Sequence, residues 1–149
     1  MSAKNIDIKN VLIGENTSYV QPVNLYGCNI GNDCFIGPFV EIQNNVTIGN
    51  NTRISSHSFI CEQVNIGNNC FIGHGVMFTN DKFSGKPGER PAEYLKTKIG
   101  NNVRIGSGAT ILPVIIGDNV IIGAGSVVTK NIDDNTIVCG NPARPMKNN

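Results

Sequence analysis

Apolar residues recur along this chain at every sixth position. Ile30, Ile36, Ile42, Ile48, Ile54, Ile60, Ile66, Ile72 and Phe78 keep that step without a break. Ile13, Tyr19 and Leu25 join them after one step of five, and a later set runs Ile99, Ile105, Ile111 and then, after a step of five, Ile116, Ile122 and Val128. Each anchor closes an in–out–in triplet such as Val46-Thr47-Ile48 or Cys70-Phe71-Ile72, the alternation of a short strand. Glycine follows many anchors, as at Gly31, Gly49, Gly73 and Gly123, and marks a corner. Asn-Asn pairs at Asn50-Asn51, Asn68-Asn69 and Asn101-Asn102 suit such corners, because asparagine tolerates left-handed backbone angles. Strand plus corner every six residues, three to a turn, predicts a triangular prism whose coils stack as parallel strands roughly 4.8 Å apart. One hexapeptide buries nothing alone, and only stacked coils make a core. The eighteen anchors predict about six turns of an all-β solenoid, a single domain over residues 1–149.

The repeat breaks once, between Thr79 and Lys98, where Gly, Pro and a cluster of charges cannot continue the prism. That stretch is expected to project as a loop. Its cations, Lys82 and Arg90 among them, either face solvent or form a lid over an anionic substrate. After Val128 a tail over residues 129–149 leaves the repeat.

Composition narrows the function. Charged residues make up 15% of the 149 residues and the net charge is +1, which gives no electrostatic case for nucleic acid or a membrane surface. No apolar run approaches bilayer length, and the polar stretch from Met1 to Asn10 lacks a signal-peptide core, so a cytoplasmic protein is expected. Five cysteines without a CxxC pairing suit a reducing compartment. Cys34 and Cys70 fall at the small inward position with Thr52 between them, the place of core thiols.

Three-sided winding makes residues eighteen apart neighbours on adjacent coils. Asn44, Glu62 and Asn80 then share one corner. A carboxylate between two amides can hold an amine by hydrogen bonds and favour its attack. Ser56 and His74 share a different corner, with His57 beside Ser56. A histidine is the usual base in acyl transfer, and the alternative is that both are structural. Two histidines are too few for a three-histidine zinc site, so no metal is expected.

The hexapeptide pattern resembles the left-handed parallel β-helix of the hexapeptide-repeat acyltransferases. The segments Ser56-His57-Ser58-Phe59-Ile60-Cys61-Glu62 and Gly73-His74-Gly75-Val76-Met77-Phe78-Thr79-Asn80-Asp81 are similar to a narrower group. That group is the N-acetyltransferases of dTDP- or UDP-linked 3-amino sugars, including the acyltransferase part of the WxcM-like proteins. The resemblance implies the left hand and a homotrimer with sites between subunits. It also implies acetyl-CoA as co-substrate, and an amino-sugar acceptor destined for surface polysaccharide such as lipopolysaccharide O-antigen. It places Glu62 and Asn80 beside the acceptor amine, and Asn44, Asp81, Lys82 and Arg90 are expected on the substrate side. Some members carry His where this chain has Asn44, and in the group the amine attacks directly. Gly140 to Arg144 matches the coenzyme-side segment, which makes Lys130 and Arg144 candidates for phosphate contacts, or else surface cations. The pantetheine arm is expected beside Gly108, Ala109, Ala124 and Ser126. Backbone N–H groups near Gly108 and Ala109, or Asn80, would stabilise the oxyanion. Two other readings remain open here. One is an O-acetyltransferase using His57 or His74 as base. The other is a non-catalytic binding solenoid.

Overall fold

The computed structural model describes residues 4–147. It is a left-handed parallel β-helix with three faces, and there is no α-helix among the described residues. The first face stacks Ile8–Lys9, Asn24–Tyr26, Glu41–Ile42, Phe59–Ile60, Met77–Phe78, Thr110–Ile111 and Val127–Val128. The second face runs from Leu12–Ile13 to Ile115–Ile116, and the third from Ser18–Tyr19 through Ile137–Cys139. Seven strands on the first face give about seven coils, close to the six expected from the anchors. The excess comes from strands at the two ends, Ile8–Lys9 and Ile137–Cys139, which the regular six-residue step does not reach. The last coil is closed by Arg144–Pro145, which runs antiparallel to Ile137–Cys139.

The register follows from burial. Phe59 pairs with Glu41 and with Met77, each eighteen residues away, and Ile72 pairs with Ile54. The anchors form the core, and Ile36, Ile42, Ile54, Ile60, Ile72, Ile105 and Ile111 are fully buried. Every coil therefore closes the apolar interior of the one before, which an isolated coil cannot do.

The corners show why asparagine recurs in pairs. The second member adopts the left-handed conformation, with φ of 53° at Asn51, 56° at Asn69 and 57° at Asn102. The first member does different work. Asn50 Oδ1 accepts from Asn32 N at 2.9 Å, Asn68 Oδ1 from Asn50 N at 2.7 Å, and Asn101 Oδ1 from Asn68 N at 2.8 Å. These side-chain oxygens satisfy corner N–H groups that the strand ladders leave without a backbone acceptor.

The projecting loop ends sooner than the residue composition implied. Thr97–Ile99 already pairs with Val64–Ile66, so only the residues up to Lys96 leave the prism. Leu95 N donates to Asn80 O at 3.1 Å and pins the base of the loop. No helix among the described residues is long and apolar enough to cross a membrane.

Cys34 and Cys70 are core thiols, and their Sγ atoms point at Gly49 O and Gly100 O at 3.1 and 3.2 Å. Thr52 Oγ1 makes the same contact with Gly67 O between them, at 3.0 Å. Burial pushes the Cys28 and Cys61 thiols up to about 11. Both thus hold their protons more tightly in the folded chain than in the unfolded one, whose thiols titrate at the ordinary value of 9.0. Their contribution to stability is complete below the ordinary value and is lost as pH rises from there through about 11. Thermal melts should therefore move to lower temperature across that alkaline range. At pH 8 a disulfide dye should label the exposed Cys139 quickly and the four buried thiols only after denaturation. A second fast thiol in the native protein would contradict this account.

Candidate active site

The corner that joins the first face to the second holds a cavity of about 410 Å³. Glu62 enters it two residues after Phe59–Ile60, and Asn80 two residues after Met77–Phe78. The eighteen-residue register of these two strands puts both side chains on one wall. Gln43, Asp81, Phe83 and Tyr94 also line it. Phe83 and Tyr94 come from the loop and are 79% and 51% exposed, so the loop lays two aromatic rings at the cavity mouth. Thr79 Oγ1, also in the lining, is buried without a hydrogen-bond partner. Such a group is costly unless something occupies it.

Three members expected on the substrate side lie elsewhere. Asn44 shares the corner, but its amide leans over Gly27 on the preceding coil, where φ is +62° and no Cβ blocks the approach. It lines the neighbouring cavity of about 520 Å³ with Lys4, Lys9 and Tyr26, and Gln43 takes the expected place beside Glu62. Lys82 and Arg90 are exposed on the loop and are not in the lining, whereas Asp81 is. The six-residue step fixes coil register but not which of two corner side chains turns inward, so spacing does not single out Gln43.

Tyr26 stands on the coil before Gln43. Its phenol is pushed up by burial, and then by the carboxylates of Glu41 and Glu62. The shift favours the protonated phenol, which can donate a hydrogen bond.

The histidines occupy the corner between the third and first faces. His74 Nδ1 lies 3.0 Å from Ser56 Oγ. His57 has a φ of 64° and its ring stacks on Phe39 with centroids 4.9 Å apart. Neither histidine lines the cavity that holds Glu62 and Asn80.

The residues expected on the coenzyme side fall into two places. Gly75, Gly108 and Gly125 stack on successive coils of the histidine corner with φ of +62°, +72° and +68°, and a Cβ on any of them would meet nothing within 4 Å. The backbone is open there, beside Ala124, which is exposed. Ala109 and Ser126 turn their side chains into the core, and Ser126 Oγ donates to Gly123 O at 2.6 Å, so neither side chain is free to touch a ligand. Gly108 N–H donates to His74 O at 2.8 Å and is not free to hold an oxyanion. Lys130 and Arg144 meet in a cavity of about 230 Å³ at the closed end of the prism, with Asn131, Thr136 and Ala143. No group of three His, Cys, Asp or Glu side chains among the described residues is arranged to hold a metal ion.

A three-sided solenoid with an interrupting loop and a lined corner cavity defines the hexapeptide class. The model for the bacterial transferase hexapeptide (six repeats) matches residues 27–62, and that for the hexapeptide repeat of succinyl-transferase matches residues 63–77 and 96–130. The chain belongs to the hexapeptide-repeat acyltransferases and is an acyltransferase. No curated protein matches the sequence. Among solved structures it is similar to AntD, an N-acyltransferase from Bacillus cereus whose point mutant was solved with dTDP and coenzyme A. The two share 26% identity and a TM-score of 0.83, over 93% of this chain and 83% of that one. It is also similar to soybean serine acetyltransferase, at 36% identity and a TM-score of 0.60, over 72% of this chain and 43% of that one. Perosamine N-acetyltransferase from Caulobacter crescentus shares the fold, at 20% identity and a TM-score of 0.71, over 92% of this chain and 58% of that one.

Proposed function

We propose that the chain transfers an acyl group, acetyl in the simplest case, from coenzyme A to the amino group of a dTDP- or UDP-linked 3-amino-3-deoxy sugar, within cytoplasmic assembly of a surface polysaccharide such as O-antigen. The observation that carries this reading is that Glu62 and Asn80 share one cavity with Asp81 and Gln43, a wall rich in hydrogen-bond acceptors. Acceptors suit an amine, which arrives with N–H groups to donate. The likeness to AntD supports the substrate class, because AntD was also solved with dTDP-4-amino-4,6-dideoxyglucose and coenzyme A, at 27% identity to this chain.

In this mechanism the neutral amine donates to Glu62 and to Asn80 Oδ1, which hold its lone pair toward the thioester carbonyl carbon. The C–N bond forms as the carbonyl electrons move to oxygen. With Gly108 N–H engaged by His74 O and Ala109 N–H by Gly106 O at 3.4 Å, Asn80 Nδ2 is the donor left for that oxyanion. Collapse breaks the C–S bond, and the departing sulfur takes the amine proton, leaving an amide and free coenzyme A thiol. No histidine base is needed. Lys130 and Arg144 would meet coenzyme phosphates, and the open backbone at Gly108 and Gly125 would border the pantetheine arm. A homotrimer would cover the exposed Phe39, Phe71 and Met77 on the first and third faces and set each active site between two subunits.

Coenzyme A thiol release with acetyl-CoA and a panel of dTDP- and UDP-linked 3- and 4-amino sugars, matched hydroxyl sugars and serine tests this. Release is expected with amino acceptors alone, and His57→Ala and His74→Ala should keep turnover within about threefold, since an amine needs no added base. Release with hydroxyl acceptors, abolished in either histidine variant, would make the chain an O-acetyltransferase. Failure to bind any coenzyme A thioester would make it a binding solenoid.

A further inference from the structure

Next to the Glu62 cavity, the outer row of the first face changes character. Phe59 and Met77 occupy it on the two coils that carry Glu62 and Asn80, but the preceding coil places Glu41 there. Glu41 is half-buried, and its carboxylate is held by side-chain amides. Asn24 Nδ2 donates to one oxygen at 3.0 Å and Gln43 Nε2 to the other at 2.8 Å. An ionised carboxylate only accepts, so it dictates which end of each amide faces it. Gln43 must turn Nε2 toward Glu41, and Oε1 is then the group it can present elsewhere. Gln43 lines the same cavity as Glu62 and Asn80. Tyr26, whose titration both Glu41 and Glu62 raise, ties the cluster to the reacting corner.

We infer that Gln43 reads a hydroxyl group next to the acceptor amine, and that Glu41 is the positioning residue that keeps its carbonyl oxygen available for that contact. This rests on the amine-transfer reading and deepens it. The acceptor is an amino sugar with a free hydroxyl on the carbon beside the amine. That hydroxyl donates to Gln43 Oε1 while the amine donates to Glu62 and Asn80. A site built to bind a hydroxyl rejects the analogue lacking it, because the half-buried acceptor is left unpaired under the bound sugar.

The test compares an amino-sugar nucleotide with its deoxy analogue lacking the adjacent hydroxyl, each with acetyl-CoA. The wild type should prefer the hydroxylated acceptor by at least about tenfold in kcat/KM. Gln43→Leu should lose that preference through the hydroxylated acceptor alone, with the KM for acetyl-CoA unchanged. Glu41→Gln should lose part of it, because a neutral amide partner lets the Gln43 side chain flip. Glu41→Asp should retain more than Glu41→Gln does. The ultraviolet titration of Tyr26, identified by its absence in Tyr26→Phe, should move to lower pH in Glu41→Gln, which reports the cluster independently of turnover. A preference that survives intact in Gln43→Leu overturns the inference while leaving amine transfer standing. A wild type that acylates no amino sugar overturns both.

Discussion

Glu62→Ala lowers turnover about a hundredfold to a thousandfold, and Asn80→Ala about tenfold to a hundredfold, with the KM for acyl-CoA shifting less than about threefold. The size follows from what the pair does. Neither side chain moves a proton in the proposed step. Both hold the amine at attack distance and orientation, and positioning of that kind can be worth up to roughly 7–11 kcal/mol when complete. Glu62 stands in the cavity wall beside Asn80, so its loss removes the charged one of the two anchors and leaves the amine free to turn away. Glu62→Gln should fall between wild type and Glu62→Ala, since one carbonyl acceptor remains. The double variant should cost less than the product of the single effects, as is usual for groups acting together. Single-turnover rates measured with saturating acyl-CoA decide the matter, and wild-type rates in both single variants would remove this corner from the chemistry.

Gly49→Ala lowers stability by about 3 kcal/mol or more, which for a chain of this size is a fall in melting temperature of roughly 6–12 °C. A Cβ at Gly49 would sit 2.6 Å from both the carbonyl carbon and the oxygen of Gly67. Those atoms are backbone on the next coil and cannot swing aside. Gly67 is itself pressed against Gly100, whose oxygen lies 2.5 Å from where a Cβ would stand, so the next coil has no room to retreat. Separating the coils would break the bond from Gly49 N to Ile66 O, now 2.8 Å, and pull Asn50 N from Asn68 Oδ1. Alanine in place of glycine restricts the unfolded chain and would otherwise stabilise by about 0.4–1 kcal/mol, so the crowding decides the sign. Gly75→Ala is the control, because a Cβ there meets nothing within 4 Å and the cost is the strain of a φ of +62° alone, roughly 1–2 kcal/mol. Calorimetry that found Gly49→Ala melting with the wild type would refute the close-packing argument.

The prism was legible because burial repeats. Each inward isoleucine answers to the same geometry, so the six-residue step carries through to pairs such as Ile54 with Ile72. The same register brought Glu62 and Asn80 to one wall. It did not place Asn44, because a corner offers two adjacent side chains and the coil from Gly27 to Asn44 is one residue short of the usual eighteen. The asparagine pairs were read through their backbone preference alone. That half of their role holds at Asn51 and Asn69, while the bonds made by Asn50 and Asn68 to the coil before depend on direction, which spacing does not encode. Phe83 and Tyr94 escaped notice for a related reason. They belong to the loop, where no repeat constrains conformation, and its composition points to cations rather than to aromatic rings.

The strand Arg144–Pro145 folds back on Ile137–Cys139 and covers one end of the stack. Each layer of the molecule leans only on the layers next to it, so thermal loosening spreads like a zip rather than appearing everywhere at once. The fastened end resists it, which leaves the end that carries Ile8–Lys9 as the natural starting point. Glu62 and Asn80 sit midway along the stack, shielded by layers on both sides, and the cavity they line is thereby among the last regions to lose its shape as the protein warms.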